Sequence, residues 1–153
     1  MPKIKIGIIG FGTIGSGVVK ILEMNGDVIK KRLGTEIEVI KIADLDITTD
    51  RGMKVDQSIL TTDAQELVNH SEVDIVVELM GGYEPARSLI LQSINNGKHV
   101  VTANKALLAI HGDEIFSTAD HNHVSIGFEA SVGGAIPVIR SIRESFVSNK
   151  ISN

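Results

Sequence analysis

The sequence predicts an α/β fold built on a doubly wound, parallel β-sheet, and three observations predict it. Short apolar runs of strand character alternate five times with stretches whose apolar residues recur at helical spacing, the pattern of strands joined by crossover helices. A complete G-x-G-x-x-G, Gly10-Phe11-Gly12-Thr13-Ile14-Gly15, stands between the first such run and the first helical stretch. An acid, Asp44, closes the second run. In a sheet of this kind helices cover both faces, and ligands bind beyond the carboxyl ends of the strands.

The first strand is the apolar run bounded by Lys3 and Gly10. After the glycines, Val18, Val19, Ile21 and Leu22 mark a helix, so the glycines occupy a strand-to-helix turn. Gly10 permits the tight turn, Gly12 lets the backbone approach a pyrophosphate, and Gly15 lets the helix pack close to the strand. The helix N-terminus offers unpaired N–H groups and a partial positive charge to phosphates. The arrangement is a Rossmann-type dinucleotide fingerprint. Lys30-Lys31-Arg32 complements the dipole at the helix end, and Gly34 is the expected C-cap.

Residues 37–43 (Ile-Glu-Val-Ile-Lys-Ile-Ala) read as the second strand, with Asp44 where such folds place the acid that binds the adenosine ribose hydroxyls. Asp44 and Asp46 repel a 2′-phosphate and lean the preference to NAD. Lys41, Arg51 and Lys54 are close enough in sequence to supply a compensating charge, so NADP stays open. Residues 47–62 are polar and read as an irregular connection, and Asp63 is a candidate cap for a short helix over 64–69. Residues 73–79 form a third strand ending in Met80-Gly81-Gly82, and Pro85 opens a helix to about Asn95. Residues 98–102 form a fourth strand, and Asn104 and Asp113 are candidate caps for following helices separated by Gly112. Residues 124–128 form a fifth strand, residues 130–137 a Gly-rich loop, and Pro137 opens a last helix to about Phe146. The carboxyl ends therefore bring together residues 10–15, 44–46, 79–82, 102–105 and 128–134, which is the candidate site.

Composition narrows the classes. The 153 residues suit one ordinary domain, and no second domain or internal repeat is visible. A net charge of −4 with 3% aromatic residues argues against a nucleic-acid surface. No apolar run is long enough to span a membrane and no signal peptide precedes the first strand. The absence of cysteine excludes disulfides and thiolate metal sites and fits a cytoplasmic protein. His121 and His123 flank Asn122 before a strand and read as surface loop residues. Tyr83, the single tyrosine, is a candidate pocket residue after Gly82.

Three further stretches carry a resemblance. Glu78-Leu79-Met80-Gly81-Gly82, the run 101–109 (Val-Thr-Ala-Asn-Lys-Ala-Leu-Leu-Ala) and the run 128–137 (Phe-Glu-Ala-Ser-Val-Gly-Gly-Ala-Ile-Pro) fall in order and at spacing with the glycine fingerprint. Together they resemble homoserine dehydrogenase over nearly the whole chain. The resemblance implies a reversible, NAD(P)-dependent interconversion of L-homoserine and L-aspartate 4-semialdehyde on the route to threonine and methionine. It implies that residues 10–15, Asp44, Met80, Gly81, Gly82, Thr102 and Lys105 bind the cofactor. Lys105 matches the family's lysine near the nicotinamide and the reaction centre, where an ammonium can meet a substrate carboxylate, the cofactor or an oxyanion. It also implies a monovalent cation, sodium, held by the Glu129 carboxylate and the carbonyls of Val132, Gly134 and Ile136, an oxygen shell suited to a hard cation.

The family's enzyme is longer. Its second domain supplies acidic groups for the substrate amine, a second catalytic lysine and most of a homo-oligomer interface. The chain is therefore expected to be the cofactor-binding part alone, with little or no turnover and with no kinase domain ahead of the first strand. Two alternatives stay open. One is another oxidoreductase of the same fold, although the cysteine-dependent aldehyde dehydrogenases are disfavoured by a chain without cysteine. The other is a stand-alone dinucleotide sensor that performs no chemistry.

Overall fold

Six parallel strands form one sheet within residues 3–148, the residues that the computed structural model describes. They are β1 (Ile4–Ile9), β2 (Ile37–Ala43), β3 (Leu60–Thr61), β4 (Ile75–Glu78), β5 (His99–Thr102) and β6 (Ile126–Gly127), in spatial order β3-β2-β1-β4-β5-β6. The chain builds outward from β1 on one side and then returns to build outward on the other. The order therefore reverses between β1 and β4, where an open α/β sheet leaves a crevice.

The two-residue alternation of the strands decides which helix lies on which face. Ile6 and Ile8 of β1 pack with Ile42, Val77 and Val19, the last from α1 (Thr13–Leu33). Ile9 points the other way, into a cluster with Leu67 and Val68 of α2 (Ala64–Val68) and Leu89 of α3 (Ala86–Asn95). Gly7 lies on that second face, and a Cβ there would stand 2.8 Å from the Leu67 side chain, so the missing side chain is what seats α2. Further along the same face Ile90 and Ile94 of α3 pack with Val100, Leu107 and Ile115, the last two from α4 (Lys105–His121).

The structure corrects the sequence-predicted elements in three places. There are six strands, because β3 is a two-residue edge strand inside the polar stretch 47–62, too short to show a pattern. The region after β5 is one helix. Asn104 caps it by accepting the Leu107 N–H at 3.1 Å, and Gly112 is buried inside it, so neither Gly112 nor Asp113 marks a boundary. The Gly-rich loop begins with a short helix, α5 (Glu129–Val132), and the last helix is only α6 (Val138–Arg140) running into a π-helical stretch, Ser141–Ser145. The caps at Asp63 and Gly34 are as predicted. Asp63 accepts the Gln65 N–H at 2.9 Å, and Gly34, at φ 74°, donates to the Lys30 carbonyl.

Candidate dinucleotide site

The glycine turn closes onto the sheet through its own backbone. Gly10 sits at φ 96°, a region open to glycine, and donates its N–H to the Ala43 carbonyl at 2.8 Å. A Cβ on Gly15 would lie 2.0 Å from the Gly10 carbonyl oxygen, so α1 reaches the turn only because residue 15 has none. A Cβ on Gly12 would meet nothing within 4 Å, which leaves the space above it open. Gly12 is the N-cap of α1, and no side chain caps it. The first-turn N–H groups and the positive end of the helix dipole therefore face that opening, the requirement for a pyrophosphate. Thr13 and Ile14 are exposed at the rim, whereas the Phe11 side chain is buried in the core.

Asp44 stands at the carboxyl end of β2, beside the turn. One of its oxygens accepts the Phe11 N–H and the other accepts the Asp46 N–H at 2.8 Å. Each oxygen keeps a further lone-pair site for a ligand hydroxyl. Next to it a cleft of about 390 Å³ opens between the glycine turn, Asp44-Leu45, Thr62 and Leu79-Met80. Its walls are mostly apolar, and Leu45, 90% exposed, stands free at its edge.

The three nearby cations are engaged elsewhere or point elsewhere. Lys41 pairs with Glu66 at 2.5 Å. Arg51 donates to the Asp46 carbonyl and carboxylate at 3.1 and 3.2 Å. Lys54 lines a separate cavity with Val19 and Glu36. Asp46 itself is held well below the usual carboxylate range, first by the Thr49 side chain and then by the main-chain N–H groups of Thr49 and Thr48.

On the other side of the switch the sequence motifs converge around Glu78, which is not among the sequence-predicted site residues. Glu78, the last residue of β4, is fully buried. It accepts the N–H groups of Met80 and Gly81 and the hydroxyl of Thr102. Thr102 is likewise buried, so it lies beneath the site and does not line it. Gly81 and Gly82 take left-handed conformations at φ 76° and 74° and turn the exposed loop over the strand ends. Lys105 begins α4 at the exposed surface, and its ammonium makes no ion pair with any described residue. Tyr83 leaves the cleft and lies edge-on to His111, with ring centres 6.3 Å apart.

The donors of the predicted cation loop are oxygens, as a hard cation requires, but this structure uses them differently. The two Glu129 oxygens accept the N–H groups of Ile139 and Arg140 at 2.9 and 3.1 Å and so cap α6. The Ile136 carbonyl accepts the Val138 N–H at 2.8 Å. In this arrangement Glu129 and its loop serve as a cap for α6. Among the described residues, no group of three or more His, Asp or Glu gathers as metal ligands, His121 and His123 included. No described helix is long and apolar enough to cross a membrane.

A phosphate cradle at the switch point, an acid at the end of β2 and an apolar cleft between them define a dinucleotide-binding domain of the Rossmann type. Comparison with known proteins gives the particular family. The model of the homoserine dehydrogenase NAD-binding domain matches residues 10–129. The homoserine dehydrogenase of Pseudomonas aeruginosa is 46% identical over 154 residues, covering 99% of this chain and 35% of that protein. The crystal structure of a homoserine dehydrogenase from Thiobacillus denitrificans superposes with a TM-score of 0.93 at 44% identity, over 99% of this chain and 35% of that one. A hyperthermophilic archaeal homoserine dehydrogenase, solved in complex with NADPH, superposes with a TM-score of 0.78 at 26% identity, over 96% of this chain and 50% of that one. The chain belongs to the NAD-binding domain family of homoserine dehydrogenase. It spans about a third of the length of the curated relatives it matches.

Proposed function

We propose that the chain is the cofactor-binding part of an NAD(P)-dependent homoserine dehydrogenase, which interconverts L-homoserine and L-aspartate 4-semialdehyde in threonine and methionine biosynthesis. The observation that carries this reading is the uncapped N-terminus of α1 over an open Gly12, beside Asp44 and the apolar cleft. The bound nicotinamide supplies or accepts the hydride, and that chemistry is the cofactor's own. The first-turn N–H groups hold the pyrophosphate, and Asp44 receives the adenosine ribose hydroxyls. Met80, Gly81 and Gly82 present backbone to the dinucleotide. Lys105 brings an unpaired ammonium to the same end of the sheet, where it steadies negative charge on the substrate or on the developing alkoxide. Groups that grip the substrate amine and shut out water belong to the part of the family's enzyme that this chain does not span, so the chain binds dinucleotide with little or no turnover.

NAD is the favoured dinucleotide. The Asp44 carboxylate repels a 2′-phosphate, while Lys41 and Arg51 are already paired with Glu66 and Asp46. The test is a fluorescence or calorimetric titration with NADH and, separately, NADPH, for the wild-type chain, Asp44→Ala and Lys105→Ala. The expected result is tighter NADH than NADPH, with NADH weakened in Asp44→Ala. Tighter NADPH binding would move the recognition to Lys41, Arg51 or Lys54, and binding of neither would sink the whole reading.

A further inference from the structure

The geometry points to Glu78 as a positioning residue that holds the β4 and β5 ends of the site in a single arrangement; this rests on the dinucleotide reading above. Glu78 and Thr102 are paired across β4 and β5 in the last register of the sheet, at its carboxyl edge. One oxygen of Glu78 accepts the Met80 and Gly81 N–H groups at 2.8 and 3.3 Å, and the other accepts the Thr102 hydroxyl at 2.6 Å. The Thr102 oxygen in turn accepts the Asn104 N–H at 3.0 Å. Asn104 then reaches back, donating its side-chain NH2 to the Gly82 carbonyl at 2.7 Å while capping α4 through Leu107. The Thr102 carbonyl accepts the Ser131 hydroxyl at 2.7 Å and so ties in the loop after β6.

The loops after β4 and β5 thus hang on one carboxylate, and the loop after β6 joins them separately, through the Thr102 main-chain carbonyl. Burying a carboxylate is unfavourable unless hydrogen bonds satisfy it, and an apolar residue at the end of β4 would pack there without that cost. Gly81 and Gly82 have no side chains to anchor their turn, and both lie at positive φ. The buried carboxylate gives that turn the fixed main-chain partner that it lacks. Adenosine lies on the Asp44 side of the switch, so the tied loops are those that meet the nicotinamide half and Lys105.

The test separates the halves of the ligand. NADH and ADP-ribose are titrated into the wild-type chain, Glu78→Gln, Thr102→Val and Thr102→Ser, with thermal melting of each to establish that it is folded. Glu78→Gln and Thr102→Val are expected to lose about tenfold in NADH affinity, the scale of one charge-assisted hydrogen bond, while ADP-ribose changes by less than about twofold. Thr102→Ser keeps the hydroxyl and is expected to bind NADH as the wild type does. Equal losses for both ligands in a folded variant, or no loss for NADH, would overturn the role of Glu78 while leaving the dinucleotide reading intact. A wild-type chain that binds neither ligand would overturn both. If Glu78→Gln does not fold, the Thr102 pair decides alone, and a Thr102→Val chain that binds NADH normally overturns the proposal.

Discussion

Substituting Gly15, Gly12 and Gly17, three of the glycines in the turn and first helix, separates packing from binding. In Gly15→Ala the new Cβ would lie 2.0 Å from the Gly10 carbonyl oxygen, short of an ordinary C···O approach of about 3.3 Å by roughly 1.3 Å. The obstacle is backbone, so no rotamer change relieves it. Helix α1 must draw back by nearly the ~1.5 Å rise of one helical residue, carrying its first-turn N–H groups off the sheet end. The expected cost is about 3 kcal/mol of stability, with a matching loss of dinucleotide affinity. In Gly12→Ala the Cβ meets nothing, and φ −73°, ψ −154° suits alanine. The poorer N-cap and the stiffer unfolded chain roughly cancel, so stability stays within about 1 kcal/mol. The methyl group instead intrudes where the pyrophosphate approaches, and affinity for NADH is expected to fall about tenfold or more. Gly17→Ala, also in open space but inside the helix, gains about 0.5–1 kcal/mol and serves as the control. Urea unfolding beside NADH titration of the three variants is the assay. A Gly15→Ala chain as stable as the wild type would refute the packing argument. A Gly12→Ala chain that binds NADH normally would refute the phosphate cradle.

Two further substitutions test the electrostatics that hold the sheet. Lys98 is buried and donates to the His70 and Val73 carbonyls at 2.7 and 2.9 Å, so Lys98→Met strands two acceptors and is expected to cost about 1–3 kcal/mol. Burial lowers its ionisation below the ordinary 10.5, so between that lowered value and 10.5 the unfolded chain holds a proton that the native chain has released. Wild-type stability therefore rises with pH through that window, the deficit of Lys98→Met should widen towards pH 10.5, and a shrinking deficit contradicts the burial argument. Glu66 is lowered from its ordinary 4.5, chiefly by Lys41 and then by Thr61. Its contribution is complete above pH 4.5 and is lost as pH falls through the lowered native value, so acid titrations of wild type and Glu66→Gln should differ above that value and merge below it.

The turn, the acid after β2 and most of the helices were legible because each is written in local sequence: glycines at fixed offsets, an acid after a β-branched run, Asp63, Asn104 and Gly34 at their caps. β3 was not, since two residues carry no period and its place is fixed only by pairing with Ile42 and Ala43. Gly112 reads as punctuation in sequence, yet the contacts of Leu107 and Ile115 on either side carry the helix through it. Glu78 was legible only as part of a motif. An acid ending an apolar strand looks like a solvated boundary, and nothing in the sequence says that Thr102, twenty-four residues on, will stand opposite it. The fate of Glu129 was hidden for a similar reason. Its partners are main-chain N–H groups ten and eleven residues away, which leave no mark on side-chain identity.

The most direct test of dinucleotide binding at the switch point is a map of main-chain amide shifts by heteronuclear NMR on adding NADH to the chain. The largest changes are expected on Gly10 to Gly15, Asp44-Leu45 and Met80 to Gly82, with the far ends of α1 and α4 barely moved. Changes centred away from the carboxyl ends of β1, β2 and β4, or none at saturating NADH, would contradict it.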